Sequence, residues 1–117
     1  MGKKILVVED EQDVLTFLVA VLKDNGYEAI SARDGMEGLE LARSEKPDLI
    51  TLDLQMPRET GTGFYRKLSR DKVLSGIPVI IISGVPGRHL AVKKPAAVFD
   101  KPIDPDELIA AIKEAIG

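Results

Sequence analysis

The 117-residue sequence contains no cysteine and no tryptophan, and it has a single histidine, His89. The absence of cysteine excludes disulfide bonds, thiolate nucleophiles and zinc–thiolate sites. A lone histidine also argues against a histidine-based metal site or catalytic triad. Aromatic residues make up only 4% of the chain, which is too few for a surface on which nucleic-acid bases would stack.

Long hydrophobic runs are missing as well. The run at residues 79–82 is far shorter than the roughly 20 apolar residues of a membrane helix. We expect no signal peptide, because residues 1–4 lead directly into the apolar residues 5–8. With neither a predicted signal peptide nor a predicted membrane span, we expect a cytoplasmic protein. The net charge of −3 argues against binding to nucleic acid or to an anionic membrane.

The composition is that of a globular protein, with 44% hydrophobic and 30% charged residues. The length suits one domain. We expect a single domain over residues 1–117, with no effector domain after it, because the last predicted helix ends at Gly117.

Two hydrophobic periodicities alternate along the chain. Short apolar runs rich in β-branched residues are typical of strands buried on both faces, and they predict strands at residues 5–8, 27–32, 48–54, 78–83 and 97–99. Apolar residues spaced by three and four predict helices at residues 13–25, 35–45, 64–73 and 105–116. Asp34 and Asp104 are suited to cap two of these helices, and Gly26 to end the first.

This alternation of strands and helices predicts an α/β fold. Parallel neighbouring strands need crossover connections, so we expect a parallel sheet with helices on both faces. The helical stripes place Phe17, Met36 and Val73 among the residues that face the core.

Polar residues stand where four of the predicted strands end. Glu9 and Asp10 follow the first strand, Asp53 ends the third, Ser83 ends the fourth, and Lys101 follows the fifth. Each of them alone is explained by a helix cap, a turn or a solvated side chain. Ligands of such sheets bind beyond the carboxyl ends of the strands, so the five together indicate a functional site.

The residue types at this edge favour one kind of chemistry. Carboxylates a few ångströms apart resist joint ionisation unless a cation lies between them. A small group of oxygen ligands suits Mg²⁺, which also binds phosphate. Together with a lysine and a hydroxyl, such a site could support phosphoryl transfer.

Four short motifs, in order at the predicted strand ends, carry a family resemblance: ILVVEDE at residues 5–11, DLQMP at 53–57 with Gly61 eight positions after Asp53, IIISG at 80–84, and KP at 101–102. With them the sequence resembles, over essentially its whole length, the receiver domains of two-component response regulators. The resemblance implies a flavodoxin-like, doubly wound (βα)5 fold with strand order 2-1-3-4-5.

The resemblance also implies roles for site residues. Asp53 would accept a phosphoryl group from the phosphohistidine of a histidine kinase or phosphotransfer protein, or from a small phosphodonor. Asp10 and Asp53 would bind Mg²⁺ directly, Glu9 mainly through water, and Gln55 through its backbone carbonyl.

Two further positions complete the implied site. Ser83 would hydrogen-bond a phosphoryl oxygen, and Lys101 would pair with another. The bond between Lys101 and Pro102 is expected to be cis, since the family's Lys-Pro bond typically is. The implied protein is a signalling module and not a turnover enzyme, and it acts by phosphorylation-dependent binding to an output protein. Its oligomeric state, monomer or homodimer, stays open.

Two features depart from the family pattern. Val98 stands where the family commonly has an aromatic residue, and strand alternation predicts that Val98 and its neighbour Phe99 face opposite sides of the sheet. The segment from Ser83 to Lys101 is shorter than is usual in the family by roughly one helical turn. We therefore expect a short or irregular fourth helix. That segment carries basic residues that form either a solvated loop or a docking patch for an acidic partner: Arg88, His89, Lys93 and Lys94.

Two other functions compete with this interpretation. A degenerate receiver could serve as an unphosphorylated binding scaffold, although the site positions carry competent residue types. A Mg²⁺-dependent phosphatase with an aspartyl-phosphate intermediate is the second. Such enzymes usually place the nucleophile after the first strand, with a second aspartate two residues on, and residues 9–11 lack that spacing.

Overall fold

The computed structural model describes residues 2–53, 61–84 and 95–117. Its strands are β1 (Lys4–Val8), β2 (Glu28–Ala32), β3 (Leu49–Asp53), β4 (Val79–Ser83) and β5 (Ala97–Asp100). Its helices are α1 (Gln12–Asp24), α2 (Gly35–Glu45), α3 (Gly61–Arg70) and α4 (Pro105–Ile116).

The strands form one parallel sheet in the order β2-β1-β3-β4-β5. This is the predicted flavodoxin-like order. The strands share one direction, so their ends define two edges. We call the edge where the strands end the carboxyl edge, and the edge where they begin the amino edge.

The two faces of the sheet are covered by different helices. One core cluster packs side chains of α2 and α3 against the sheet, with Phe64 of α3 fully buried. The other packs α1 and α4 against the opposite face, through residues such as Leu18 and Ile112. Val98 packs against the first cluster and Phe99 against the second, as strand alternation predicts.

The predicted helix signals are found in the structure. The side chain of Asp34 accepts a hydrogen bond from the Glu37 N–H at the start of α2. The side chain of Asp104 accepts hydrogen bonds from the N–H groups of Asp106 and Glu107 in the first turn of α4. Gly26 has a φ of 86° just after α1, a conformation that glycine adopts without strain.

Three predicted core positions are wrong. Phe17, Met36 and Val73 are 41%, 61% and 71% exposed. Helix α1 turns Leu15 and Leu18 toward the sheet, and Phe17 lies about 100° around the helix from Leu18.

Helix α2 buries small residues instead of Met36. Gly38 lies against β1 and α3: a Cβ atom there would stand 3.1 Å from both Phe64 Cε1 and Val8 Cγ2. The glycine thus permits a close approach of the helix, and Met36 is left on the outer side.

The third wrong position has a local cause. Helix α3 ends at Arg70, before Val73. The Asp71 side chain accepts hydrogen bonds from the N–H groups of Val73 and Leu74, which form a turn in place of a further helical turn.

Some predictions lie outside the described residues. They concern the fourth helix, the carbonyl of Gln55, and the basic residues Arg88, His89, Lys93 and Lys94. Among the described residues, no helix is long and apolar enough to cross a membrane.

Candidate functional site

The end of β1 brings two carboxylates to the carboxyl edge. The Glu9 N–H donates to the Ala32 carbonyl at 3.0 Å, which extends the pairing of β1 with β2. The Glu9 side chain is buried, and Asp10 is half-buried beside it. Both side chains therefore lie directly after a strand whose pairing continues to Glu9.

Asp53 is the last residue of β3, and only 1% of it is exposed. The central position of β3 between β1 and β4 explains this burial. Ligand oxygens of Glu9, Asp10 and Asp53 all lie within 4.8 Å of one another. The structure thus brings together the three carboxylates that the sequence predicted to meet.

The hydroxyl and the lysine reach the same edge through backbone pairing. Ser83 ends β4 and is buried, and it lies opposite Asp100 in the register of β4 and β5. The Lys101 N–H then donates to the Ser83 carbonyl at 3.0 Å. The bond between Lys101 and Pro102 is cis, as the resemblance implied.

The Lys101 ammonium lies among carboxylates. Its Nζ atom is 3.0 Å from Glu11 Oε1 and 3.3 Å from Glu9 Oε1. Asp53 Oδ2 is farther away, at 3.6 Å. The Lys101 side chain keeps 18% of its surface exposed, so it stands at the boundary between the buried site and solvent.

Burial and charge act in opposite directions on this lysine. Burial lowers the pKa of Lys101, but the hydrogen bond to Glu11 and the negative charges of Asp53 and Glu9 outweigh that effect. The pKa of the ammonium is therefore raised above its usual value of 10.5. Lys101 is positively charged at neutral pH.

The site fits a divalent cation. The carboxyl groups of Glu9, Asp10 and Asp53 converge at close range. Within the described residues, the buried Asp10 Oδ1 accepts no hydrogen bond, and the buried Glu9 Oε1 contacts the Lys101 ammonium as an ion pair at 3.3 Å. Buried acceptors without donors are costly, and an oxygen-only set of this size suits Mg²⁺.

Sequence reasoning missed two polar contacts at the site. Glu11 pairs with Lys101, although the two residues are 90 positions apart in the chain. Arg33 follows β2, and its Nη2 donates to the Asp10 carbonyl at 3.3 Å. The charged residue types were visible in the sequence, but no motif indicated that these side chains meet.

A partly exposed apolar surface adjoins the site. Phe17 and Val14 of α1 line a depression together with Pro102 and Ile103, which follow Lys101. We call these four residues the Phe17 surface. It places an accessible aromatic ring beside the lysine of the carboxylate cluster.

Comparisons with known proteins agree with this geometry. The profile of the response regulator receiver domain family matches residues 5–113. The chain belongs to this family. Over 117 residues it is 31% identical to the protein Rrf1 of Nitratidesulfovibrio vulgaris, covering all of this chain and 85% of the relative.

A second relative and a solved structure are also similar to this chain. The receiver domain is 33% identical to the polar-differentiation response regulator DivK of Brucella anthropi, over 100% of this chain and 98% of the relative. Its fold matches the receiver domain of a sensor histidine kinase from Pseudomonas aeruginosa PAO1 with a TM-score of 0.92, at 24% identity and over 100% and 99% of the two chains. That structure is described with a magnesium ion coordinated in its active-site cleft.

Proposed function

We propose that this receiver domain accepts a phosphoryl group on Asp53 in a Mg²⁺-dependent reaction. The donor would be the phosphohistidine of a histidine kinase or phosphotransfer protein. One observation carries the proposal: a buried aspartate at a strand end lies within 4.8 Å of two other carboxylates and 3.6 Å from a lysine ammonium. That arrangement gathers a nucleophile, a cation site and a fixed positive charge.

Each residue has a chemical task. A carboxylate oxygen of Asp53 would form a bond to phosphorus while the bond from phosphorus to the histidine nitrogen breaks. Lys101 would pair with a phosphoryl oxygen, and the Ser83 hydroxyl would donate to another. Glu9, Asp10 and Asp53, with the Gln55 carbonyl, would hold Mg²⁺, which neutralises charge on the transferred group.

The Phe17 surface gives a protein phosphodonor a place to bind. A phosphohistidine has to approach Asp53 from the carboxyl edge, and Pro102 and Ile103 follow directly after Lys101 at that edge. Replacing Phe17 by Ala should slow transfer from a phosphorylated kinase that phosphorylates wild type, but not from acetyl phosphate. Met36→Ala is the matched control, because Met36 is exposed on another helix.

The output step is a protein contact. The added charge and acceptor oxygens on Asp53 would draw Ser83 toward the phosphoryl group and so favour one of two conformations. The domain would catalyse its own phosphorylation and dephosphorylation without turning over other substrates. That residues 1–117 act as one domain, in the cytoplasm, stays a prediction.

The central test is the intact mass after incubation with acetyl phosphate and Mg²⁺. Wild type should gain one phosphoryl group, and Asp53→Asn should gain none. A wild-type mass that does not change would contradict the proposal and favour an unphosphorylated scaffold. Steady release of phosphate from many phosphate monoesters would favour a phosphatase instead.

A further inference from the structure

We propose that Glu11 is a positioning residue that slows phosphorylation of Asp53, because its carboxylate competes with the incoming phosphoryl group for the Lys101 ammonium. This inference rests on the proposed phosphoacceptor role of Asp53. It assigns a task to a side chain outside the carboxylate cluster.

Glu11 stands at the start of α1 but does not cap the helix with its side chain. Its backbone is extended, and its carbonyl accepts the Leu15 N–H at 2.9 Å, as an N-cap residue does. Its own N–H donates to Glu9 Oε2 at 3.1 Å. N-cap side chains usually accept a hydrogen bond from the first turn, whereas the Glu11 carboxylate binds Lys101 at 3.0 Å instead.

The distances rank the partners of the ammonium. Glu11 is the nearest of the three carboxylates around Lys101 Nζ, and Asp53 is the farthest. The Glu11 side chain is also 61% exposed, so it holds the ammonium from the solvent side. A lysine ammonium has three N–H donors, and a phosphoryl group on Asp53 needs one of them.

Phosphorylation therefore weakens the contact with Glu11. In the reaction with acetyl phosphate, an Asp53 oxygen bonds to phosphorus, the bond from phosphorus to the acetate oxygen breaks, and acetate leaves with the electron pair. Lys101 has to turn toward the phosphoryl oxygens as their charge is transferred. The energy of the pair with Glu11 is then added to the barrier.

A neighbouring residue separates this effect from simple charge repulsion. Asp13 is an exposed acid in the first turn of α1, and it makes no ion pair among the described residues. Asp13→Asn changes the net charge as much as Glu11→Gln does, but it leaves Lys101 untouched. Glu11→Asp keeps the charge and shortens the side chain by one methylene.

The test measures phosphorylation by acetyl phosphate with Mg²⁺, at salt concentrations high enough to screen the surface charge. Glu11→Gln should raise the limiting rate constant about threefold, the scale of a partly exposed ion pair. Beryllofluoride, measured by NMR titration, should bind tighter by a similar factor. Glu11→Asp should give the same tighter binding, and Asp13→Asn should leave both quantities unchanged.

Each other outcome is informative. Equal changes of the rate constant and of beryllofluoride affinity in Glu11→Gln and Asp13→Asn would overturn the inference in favour of general charge repulsion. Unchanged rate constants and affinities in both variants would overturn it as well. A lower melting temperature of Glu11→Gln without tighter beryllofluoride binding would indicate a purely structural role and would also overturn it. If wild type gains no phosphoryl group at all, the proposed function fails first and the inference falls with it.

Discussion

The two edges of the sheet use the same charged residue types in opposite ways. At the amino edge, Lys4 Nζ lies 3.0 Å from Glu45 Oε1, and the Lys4 N–H donates to Asp48 at 2.8 Å. At the carboxyl edge, Lys101 Nζ also lies 3.0 Å from a glutamate, but two further carboxylates face the same ammonium. The Lys4–Glu45 pair at the amino edge is exposed to solvent, whereas Glu9 and Asp53 at the carboxyl edge are buried.

The charged groups at the two edges differ in what they contribute to the protein. A hydrogen bond to Glu45 raises the pKa of Lys4, and solvent screens the pair. The carboxyl edge holds its charges together at a cost that a bound cation would offset. We infer that the amino edge serves the fold and the carboxyl edge serves a ligand.

The largest expected effect is that of Mg²⁺ on stability. At a concentration about 100 times its Kd, Mg²⁺ should raise the free energy of unfolding of wild type by about 2.7 kcal/mol. Urea unfolding with Mg²⁺ and with EDTA measures this difference. Glu45→Gln should keep the full effect, and Asp53→Asn should lose most of it. An equal response of both variants would break the comparison.

Removal of the two lysines should have unequal effects. Lys101→Gln leaves Glu9 and Asp53 buried without their ammonium, so we expect a loss of about 2 kcal/mol in metal-free buffer. This is less than for a fully buried pair, because Lys101 is partly exposed. Lys4→Gln should cost clearly less, since Glu45 is exposed to solvent. Urea midpoints of both variants test the order, and a larger loss for Lys4→Gln would contradict it.

Removing one carboxylate should stabilise the metal-free protein. Asp53→Asn relieves repulsion from Glu9 and Asp10, and Lys101 keeps two partners. We expect a gain of about 1 kcal/mol, measured by urea unfolding in EDTA. At the amino edge, Glu45→Gln should give no gain. A destabilised Asp53→Asn would mean that the pair with Lys101 outweighs the repulsion.

The smallest effect is expected from Asp71, whose Oδ2 lies 3.6 Å from Arg43 Nε. Hydrogen bonds from the N–H groups of Leu74 and Val73, together with Arg43, lower the pKa of Asp71 below 3.8. Its contribution is therefore complete above about pH 4 and is lost as the pH falls through the lowered pKa. Asp71→Asn should flatten part of the acid limb of a plot of melting temperature against pH, while leaving phosphorylation at neutral pH unchanged.

The sequence was sufficient to predict those site residues whose location depends only on the path of the backbone. Glu9, Asp53, Ser83 and Lys101 stand at the ends of strands, and the ends of parallel strands have to meet at one edge. The short apolar runs were enough to place those ends. The roles of these residues stay predictions until phosphorylation is measured.

Two features were not predictable from the sequence: which face a helix turns toward the sheet, and which contacts long side chains make. The apolar residues of α1 form a stripe wider than its contact with the sheet, so hydrophobicity alone did not exclude Phe17 from the core. The contact of Glu11 with Lys101 depends on the conformations of two flexible side chains. Neither the spacing nor the composition of the sequence determines those conformations.

The hydrogen bond from the Lys101 N–H to the Ser83 carbonyl has a consequence for how such a domain can diverge. The bond joins main-chain atoms, so the alignment of hydroxyl and lysine tolerates many substitutions along β5. Loss or gain of a single residue between Ala97 and Asp100 would instead turn the lysine to the opposite face of the sheet. The length of β5 therefore constrains the position of Lys101 more strictly than the side chains along that strand do.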